Sequence, residues 1–551
     1  RQNLYLKVQC VPFNNIPFNF SLVNHNPPIA DLLDCIDSSE RTHELFARLI
    51  KNNTEQRGIL YTSKADIVGF KNPEELAEKY NNVLYHRHQY ARIEIFKNHF
   101  YIKEYDENVY EIIYKLKRYA ESGIKNYTHS VDLWMKNSGL IIDCDEKKNA
   151  LRNLFKNSKV AFIYGAAGTG KSTMINYISS LFKDKQKIFL ANTNPAVENL
   201  RRKVTAEHAE FVTITKFLSK DVSNDCDILC LDECSTISNR DMVRVLQRAQ
   251  CKLLVLVGDI YQIESILFGN WFNIAYKVMP KDSVAELTRP HRTTVQGLIE
   301  VWNKVREITE DRLEFITRNG LSSTLDESIF SRTEEDEIVL CLNYDGIYGI
   351  NNINKFLQSN NVNPSINWGV LSYKVGDPVL FNESNRFAPL VYNNLKGKIL
   401  QIEEEEDCIY FTIEVYTVLN ELDVIGFDLE LKESVTDETS VIRFKVGRGG
   451  DGNDDNDNVE NVVPFQVAYA ISIHKAQGLE YESVKVVITS EIEEMVSHNI
   501  FYTAITRAKS KLKIYWSPET EKRILENMKV QFNDKDYQLF KAKYKEALLK
   551  S

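Results

Sequence analysis

Gly165-Ala166-Ala167-Gly168-Thr169-Gly170-Lys171-Ser172 is the stretch on which the reading of this chain turns. It fits GxxxxGK[ST] and directly follows the apolar run 160–164, so a strand feeds a glycine-rich turn. Glycines let backbone N–H groups turn inward around phosphates. Lys171 then places a point charge on the β/γ-phosphates, and Ser172 offers a hydroxyl to Mg²⁺. A helix expected over 173–182 would point its positive end at the anion. An incidental lysine in a glycine-rich turn would need neither the strand before it nor the helix after it. The expected cofactors are therefore ATP and Mg²⁺, with Gly165, Gly168, Gly170, Lys171 and Ser172 around the phosphates.

The neighbouring sequence supports this. Short apolar runs at 160–164, 188–191, 228–231 and 253–257 alternate with helix-like segments, the pattern of a parallel α/β sheet. The run at 228–231 ends in Asp232-Glu233. Such a pair is usually just a solvated strand end, but after a phosphate loop it suits a magnesium shell (Asp232) and a residue polarising the attacking water (Glu233). A second alternating set includes 338–342, 484–488 and 512–515. Between its halves lies a strand-dense region, 373–458, with an acidic turn at 403–407. It ends in a Gly/Asp/Asn run, 449–458, which cannot bury apolar area and reads as a mobile loop. Residues 1–135 mix short aromatic strands with helices over 73–80 and 108–118. The last 30 residues read as one charged helix.

At 551 residues the chain is too long for one core, and three or four domains are expected. A net charge of −9 argues against coating nucleic acid through a global positive field, but a local basic channel needs only a few Lys or Arg. No apolar run reaches the roughly 18 residues a bilayer requires, and no signal sequence opens the chain, so a cytoplasmic protein with no membrane contact is expected. The chain opens on Arg1 rather than Met and reads as trimmed or partial. Nine cysteines form no CxxC pair. Cys226, Cys230 and Cys234 read as small core fillers in a reducing compartment, and His86/His88 lack partners at metal-ligand spacing.

Further motifs carry a resemblance. Gly258-Asp259-Ile-Tyr-Gln262 matches GDxxQ, Leu287-Thr-Arg-Pro-His-Arg292 follows, and Ser472-Ile-His474-Lys475-Ala-Gln477-Gly478-Leu-Glu480 and Tyr502-Thr-Ala-Ile-Thr506-Arg507-Ala-Lys509 lie near the C-terminus. With the phosphate loop and the acidic strand these resemble, in order, six motifs of superfamily 1 helicases over about 140–516. Ala191-Asn-Thr193-Asn194-Pro195, Thr213-Ile-Thr-Lys-Phe217, Lys374-Val-Gly376-Asp377 and Asn393-Asn394-Leu-Lys-Gly397 look most like the RecD/Dda type. Asn394 stands where that type has glycine, and both residues tolerate positive φ.

The resemblance implies an α/β protein: two RecA-like P-loop NTPase lobes with ATP between them, an SH3-like β-barrel insert, and a separate N-terminal α+β domain. The corresponding boundaries are 1–135, 136–285, 286–372 with 459–551, and 373–458 for the insert. It implies that Gln262 senses the γ-phosphate, that Arg292 and Arg507 neutralise transition-state charge, and that Glu480 bonds the ribose. Thr193, Asn194, Thr213, Ser472 and His474 would line a single-strand track, using short polar groups that grip and release phosphates one at a time. The implied activity is an ATP-dependent translocase or helicase on single-stranded nucleic acid, DNA rather than RNA, moving 5′ to 3′. The rival readings are an RNA helicase and an ATP-gated binding or signalling module whose 1–135 region recognises a protein partner.

Three features need separate comment. Lys147 occupies the place of a glutamine that in the family reads adenine, which puts adenine selectivity in doubt. Only 218–227 lies where the RecD/Dda type carries a strand-separating hairpin, too little for a stable one. The patch Tyr85-His-Arg87-His-Gln-Tyr90-Ala-Arg92 interleaves bases and aromatics as a stacking surface would, but reads first as a half-exposed strand.

Overall fold

The computed structural model describes residues 41–55, 57–166, 168–219, 224–262, 268–289, 293–382, 386–388, 390–434, 436–448, 461–528 and 534–545. They fall into two compact units, one drawn from Arg1–Arg292 with Lys529–Ser551, the other from Thr293–Met528. The run 449–458, read above as a mobile loop, lies outside the described residues, as does Arg292.

Among its described residues the first unit holds a helix, Thr42–Glu55, and a small antiparallel sheet of β1 (Thr62–Ser63), β2 (Ile93–Phe96) and β3 (His99–Ile102). Its main sheet comprises β4 (Val160–Gly165), β5 (Lys187–Ala191), β6 (Ala209–Thr213), β7 (Asp225–Leu231), β8 (Gln250–Gly258) and β9 (Val284–Leu287), all parallel, in the order β6-β5-β7-β8-β4-β9. β4 is apolar and buried from Val160 to Tyr164, and β5 is buried throughout and apolar after Lys187, as expected of strands covered on both faces. One face is covered by the helix Lys103–Tyr119, whose Val109, Ile112, Ile113 and Leu116 share a core with Met242, Val245 and Leu246. The described residues from 41 to 135 therefore join the unit of the main sheet, not a separate domain. They keep a smaller core of their own around Phe46, Phe70, Tyr80 and Phe100.

The second unit carries β10 (Ser322–Ser323) and β11 (Glu337–Cys341), a hairpin of β12 (Ser365–Trp368) and β13 (Leu371–Lys374), and then β14 (Pro378–Phe381), β15 (Lys396–Glu404), β16 (Cys408–Val415), β17 (Glu430–Lys432), β18 (Ser440–Gly447) and β19 (Phe465–Val467). It returns through β20 (Ala470–Ser472), β21 (Tyr481–Val487) and β22 (Ala508–Tyr515). The order β10-β22-β21-β11-β20 makes a parallel sheet, and β17-β18-β16-β15-β14-β19 an antiparallel one. Asn394 has φ 65°, the left-handed conformation its glycine-like position calls for.

Three sequence boundaries shift. The antiparallel sheet extends to β19 beyond residue 458, and Trp368 of β12 already packs in its core. The C-terminal stretch forms two helices rather than one, Pro518–Asn527 and Asp534–Lys543, and the second belongs to the first unit. Its Phe540 is fully buried there, a long-range contact with no local sequence signal. The patch at 85–92 is not a strand. His86–Ala91 is a short 3₁₀ helix, and Tyr85 and Tyr90 stay about half exposed.

Candidate functional site

The phosphate loop sits between β4 and the helix Lys171–Leu181. Gly168 and Gly170 have φ of 77° and 85°, which side-chain-bearing residues rarely adopt. At Gly165 a Cβ would come within 2.4 Å of Thr169 Oγ1 and 3.0 Å of Leu287 O, so only glycine fits beside β9. The Thr169 hydroxyl donates to Ala166 O at 3.0 Å, and Lys171 Nζ donates to Gly165 O and Ala166 O at 2.8 and 2.9 Å. The lysine is thus folded along its own loop, with the helix N-terminus directly behind it.

β7 delivers Asp232 and Glu233 to the same end of the sheet. The Asp232 N–H donates to Leu190 O at 2.8 Å, and its Oδ1 accepts the Glu233 N–H at 2.9 Å. Burial pushes the Asp232 carboxyl up, while that hydrogen bond and the Lys171 charge pull it down. Lys171 and Asp232 are therefore electrostatic neighbours. Glu233 is held at φ 52°, a conformation costing a non-glycine residue roughly 1–3 kcal/mol and concentrated at functional sites. β8 ends at Gly258, where a Cβ would meet the Phe272 ring at 2.6 Å. Beyond it the buried Asp259 accepts the Tyr261 N–H at 3.0 Å, and Gln262 is buried.

Cys226, Cys230 and Cys234 are buried free thiols, as expected of core fillers. Burial pushes the Cys226 thiol up to about 12. Among the described residues no cluster of His, Cys, Asp or Glu suits a metal. No described helix is long and apolar enough to cross a membrane.

Thr193, Asn194 and Thr213 gather at the carboxyl edge of the first sheet, because Ala191 of β5 pairs with Thr213 of β6. Both threonines cap helices. Thr193 Oγ1 accepts the Ala196 N–H at 3.4 Å and Thr213 Oγ1 the Lys216 N–H at 3.2 Å, leaving each hydroxyl proton to donate. In the second unit His474 is exposed, whereas Ser472 is 7% exposed and its hydroxyl accepts the Lys475 N–H at 3.2 Å. Ser472 therefore holds the turn that presents His474.

Arg507 is 2% exposed. Its guanidinium donates to Thr503 O at 3.0 Å, Leu479 O at 3.2 Å and Thr506 Oγ1 at 3.3 Å, which ties the 502–509 motif to the segment bearing Glu480. Lys147, 1% exposed, pairs with Asp143 at 2.5 Å, and its ammonium lies 2.5 Å from the point a Cβ on Gly170 would occupy. Lys396 donates to Glu480 O at 2.7 Å from a different sheet. The glutamine position marked Lys147. Nothing in the motifs marked Lys396.

A family model described as an AAA domain matches residues 144–326, and one described as a UvrD-like helicase C-terminal domain matches 467–515. An uncharacterized protein of Methanocaldococcus jannaschii is 24% identical over 448 residues, covering 67% of this chain and 37% of its own length, so the chain spans little more than a third of that relative. The RecBCD enzyme subunit RecD of Buchnera aphidicola subsp. Schizaphis graminum is 23% identical over 503 residues, covering 70% of this chain and 78% of RecD. The ATP-dependent DNA helicase Pif1 of Campylobacter jejuni is 23% identical over 438 residues, covering 64% of this chain and 88% of its own length.

Proposed function

We propose that the chain is a superfamily 1 helicase of the RecD/Pif1 type and that it couples ATP hydrolysis to 5′ to 3′ movement along single-stranded DNA. In this reading the two parallel sheets are RecA-like lobes and the antiparallel sheet an SH3-like insert. The observation that carries it is that the parallel strands β4 and β7 of one sheet end in the loop before Lys171 and in Asp232-Glu233, with Gly168 and Gly170 of that loop at positive φ.

Ser172 and Asp232 would hold Mg²⁺, a hard cation taking oxygen ligands, which when bound neutralises phosphate charge. Lys171 binds the β/γ-phosphates and Glu233 takes the proton of the attacking water. Gln262 reports the γ-phosphate, Glu480 bonds the ribose, and Arg507 and Arg292 stabilise charge on the transferring phosphoryl group. Thr193, Asn194, Thr213 and His474 contact the strand, with Ser472 acting through its turn. Six residues, 219–224, separate the helix Ile214–Leu218 from β7, where the RecD/Dda type carries a separating hairpin, and 220–223 lie outside the described residues.

The test is ATP hydrolysis with and without single-stranded DNA, for wild type and Glu233→Gln, followed by unwinding of duplexes with 5′ or 3′ tails. Strand-stimulated turnover lost in Glu233→Gln, with unwinding only from a 5′ tail, is expected. Equal turnover with and without the strand would sink the motor reading.

A further inference from the structure

Lys396 opens β15 but directs its side chain away from the antiparallel sheet, onto the segment that leads into β21. Its Nζ donates to Glu480 O at 2.7 Å and to Asp336 Oδ1 at 3.1 Å, and lies 3.6 Å from the centre of the Tyr481 ring. Asp336 holds the same segment from a second side: its Oδ2 accepts the Glu482 N–H and its backbone carbonyl the Ser483 N–H, both at 3.1 Å. From the third side the Tyr481 N–H donates to Arg507 O at 3.0 Å, and the Arg507 guanidinium bonds Leu479 O. The backbone from 479 to 483 is thus fixed at five polar groups, and the one from the antiparallel sheet is an ammonium.

That ammonium is strongly committed. Burial depresses its pKa, opposed by Asp336. Beside it lies a cavity of about 520 Å³ lined by Arg332, Asp336, Lys396, Tyr416, Tyr469 and Tyr481, so open space rather than packed protein would face the Glu480 carbonyl if the charge were removed. A charge-assisted bond to a carbonyl, with the aliphatic stem and head over an aromatic face, sets direction as well as distance.

We propose that Lys396 is a positioning residue that aims Glu480 at the sugar of the bound nucleotide, making the antiparallel sheet a partner in nucleotide recognition. This rests on the reading of Glu480 as a ribose contact. Glu480 carries the hydrogen bond to the sugar hydroxyl, and Lys396 fixes the peptide from which it projects. Losing the ammonium lets that peptide rotate, so what is lost is discrimination among sugars and not the ability to hydrolyse a triphosphate.

The experiment compares full-length wild type, Lys396→Met, Lys396→Arg and Glu480→Ala in steady-state hydrolysis of ATP, 2′-deoxy-ATP and 3′-deoxy-ATP with single-stranded DNA present. Wild type is expected to favour ATP over at least one deoxy analogue, and Glu480→Ala to lose that preference. Lys396→Met, which keeps the apolar stem, should raise KM for ATP about tenfold with kcat changed less than twofold, while KM for the disfavoured analogue stays nearly constant. Lys396→Arg should restore most of the preference. Should Lys396→Met not fold, Asp336→Asn gives the same comparison. An unchanged ATP-to-deoxy ratio in the Lys396 variant, or KM rising equally for every nucleotide, overturns the proposal. Sugar preference surviving in Glu480→Ala overturns the role of Glu480 and the proposal with it. No turnover of ATP by wild type would instead overturn the motor reading.

Discussion

The carboxylate of Asp536 accepts the backbone N–H of Leu60 at 2.7 Å and that of Tyr61 at 3.0 Å, joining segments 476 and 475 residues apart. Nearby, the buried Asp106 accepts from Tyr61 Oη, Lys543 Nζ and Tyr544 Oη, each at 2.5 Å. The helix Asp534–Lys543 therefore fastens the start of the described chain to the core beneath the first sheet. It carries buried Phe540 into that core and two acids' worth of hydrogen bonds across its rim.

A hydrogen bond to a charged group contributes about 1.5–3 kcal/mol, and here one carboxylate satisfies two buried N–H groups. Asp536→Ala should cost about 3 kcal/mol, read as a lower urea midpoint for the first unit. Asp536→Asn, with one acceptor oxygen left, should fall between. A loss below about 1 kcal/mol would mean that Phe540 alone holds the helix.

None of that clasp was legible in the sequence, because a lone aspartate in a charged helix has no spacing that names a partner so far upstream. What could be read followed from local rules. The buried strands β4, β7 and β8 announce themselves as apolar runs, and Gly168, Gly170 and Asn394 mark left-handed turns that few residues tolerate. The patch 85–92 misled because Tyr85, Arg87 and the residues after them alternate like a strand. Residues 86–91 instead turn in 3₁₀ fashion with a kink at His88, and the Tyr85 and His88 rings lie 5.6 Å apart. Thr193 and Thr213 read as contacts to a nucleic-acid strand, and in the structure the hydroxyl oxygen of each caps a helix, a role no motif spacing names.

In the second parallel sheet Glu337 and Lys485 form an ion pair at 3.0 Å with side chains only 2% and 7% exposed. Thr333 and Ser483 hydroxyls donate to Glu337 Oε2 at 2.9 Å, and Lys485 also donates to Ser328 O. Removing one partner strands a buried charge, so Glu337→Gln or Lys485→Met should each destabilise the second unit by about 3–5 kcal/mol. The double variant Glu337→Leu/Lys485→Met should recover most of that loss. Additive losses, seen by chemical denaturation, would show that the pair is not the unit of stability.

The Arg507 guanidinium is oriented by hydrogen bonds to Thr503 O, Leu479 O and Thr506 Oγ1. Lysine keeps the charge but not the planar fork. Arg507→Lys should lower single-turnover hydrolysis by ~10³ or more, while binding of a fluorescent nucleotide changes only a few-fold. Retention of a tenth of the wild-type rate would reduce Arg507 to a structural tie between Leu479 and Thr503.

Lys147 bears on which base is accepted. Its ammonium lies against Gly170 of the phosphate loop and is paired with Asp143. A lysine offers donors only, whereas a glutamine amide offers one of each. Adenine presents the acceptor N7 beside the donor N6–H₂, and guanine presents two acceptors, N7 and O6. An ammonium can therefore serve guanine at least as well as adenine, and wild type should hydrolyse GTP with a kcat/KM within about tenfold of that for ATP, a difference of roughly 1.4 kcal/mol. Lys147→Gln should widen the ATP-to-GTP ratio several-fold by restoring an acceptor for N6–H₂. If the ratio is the same in both proteins, Lys147 serves only to pack the loop, and the choice of base is made elsewhere.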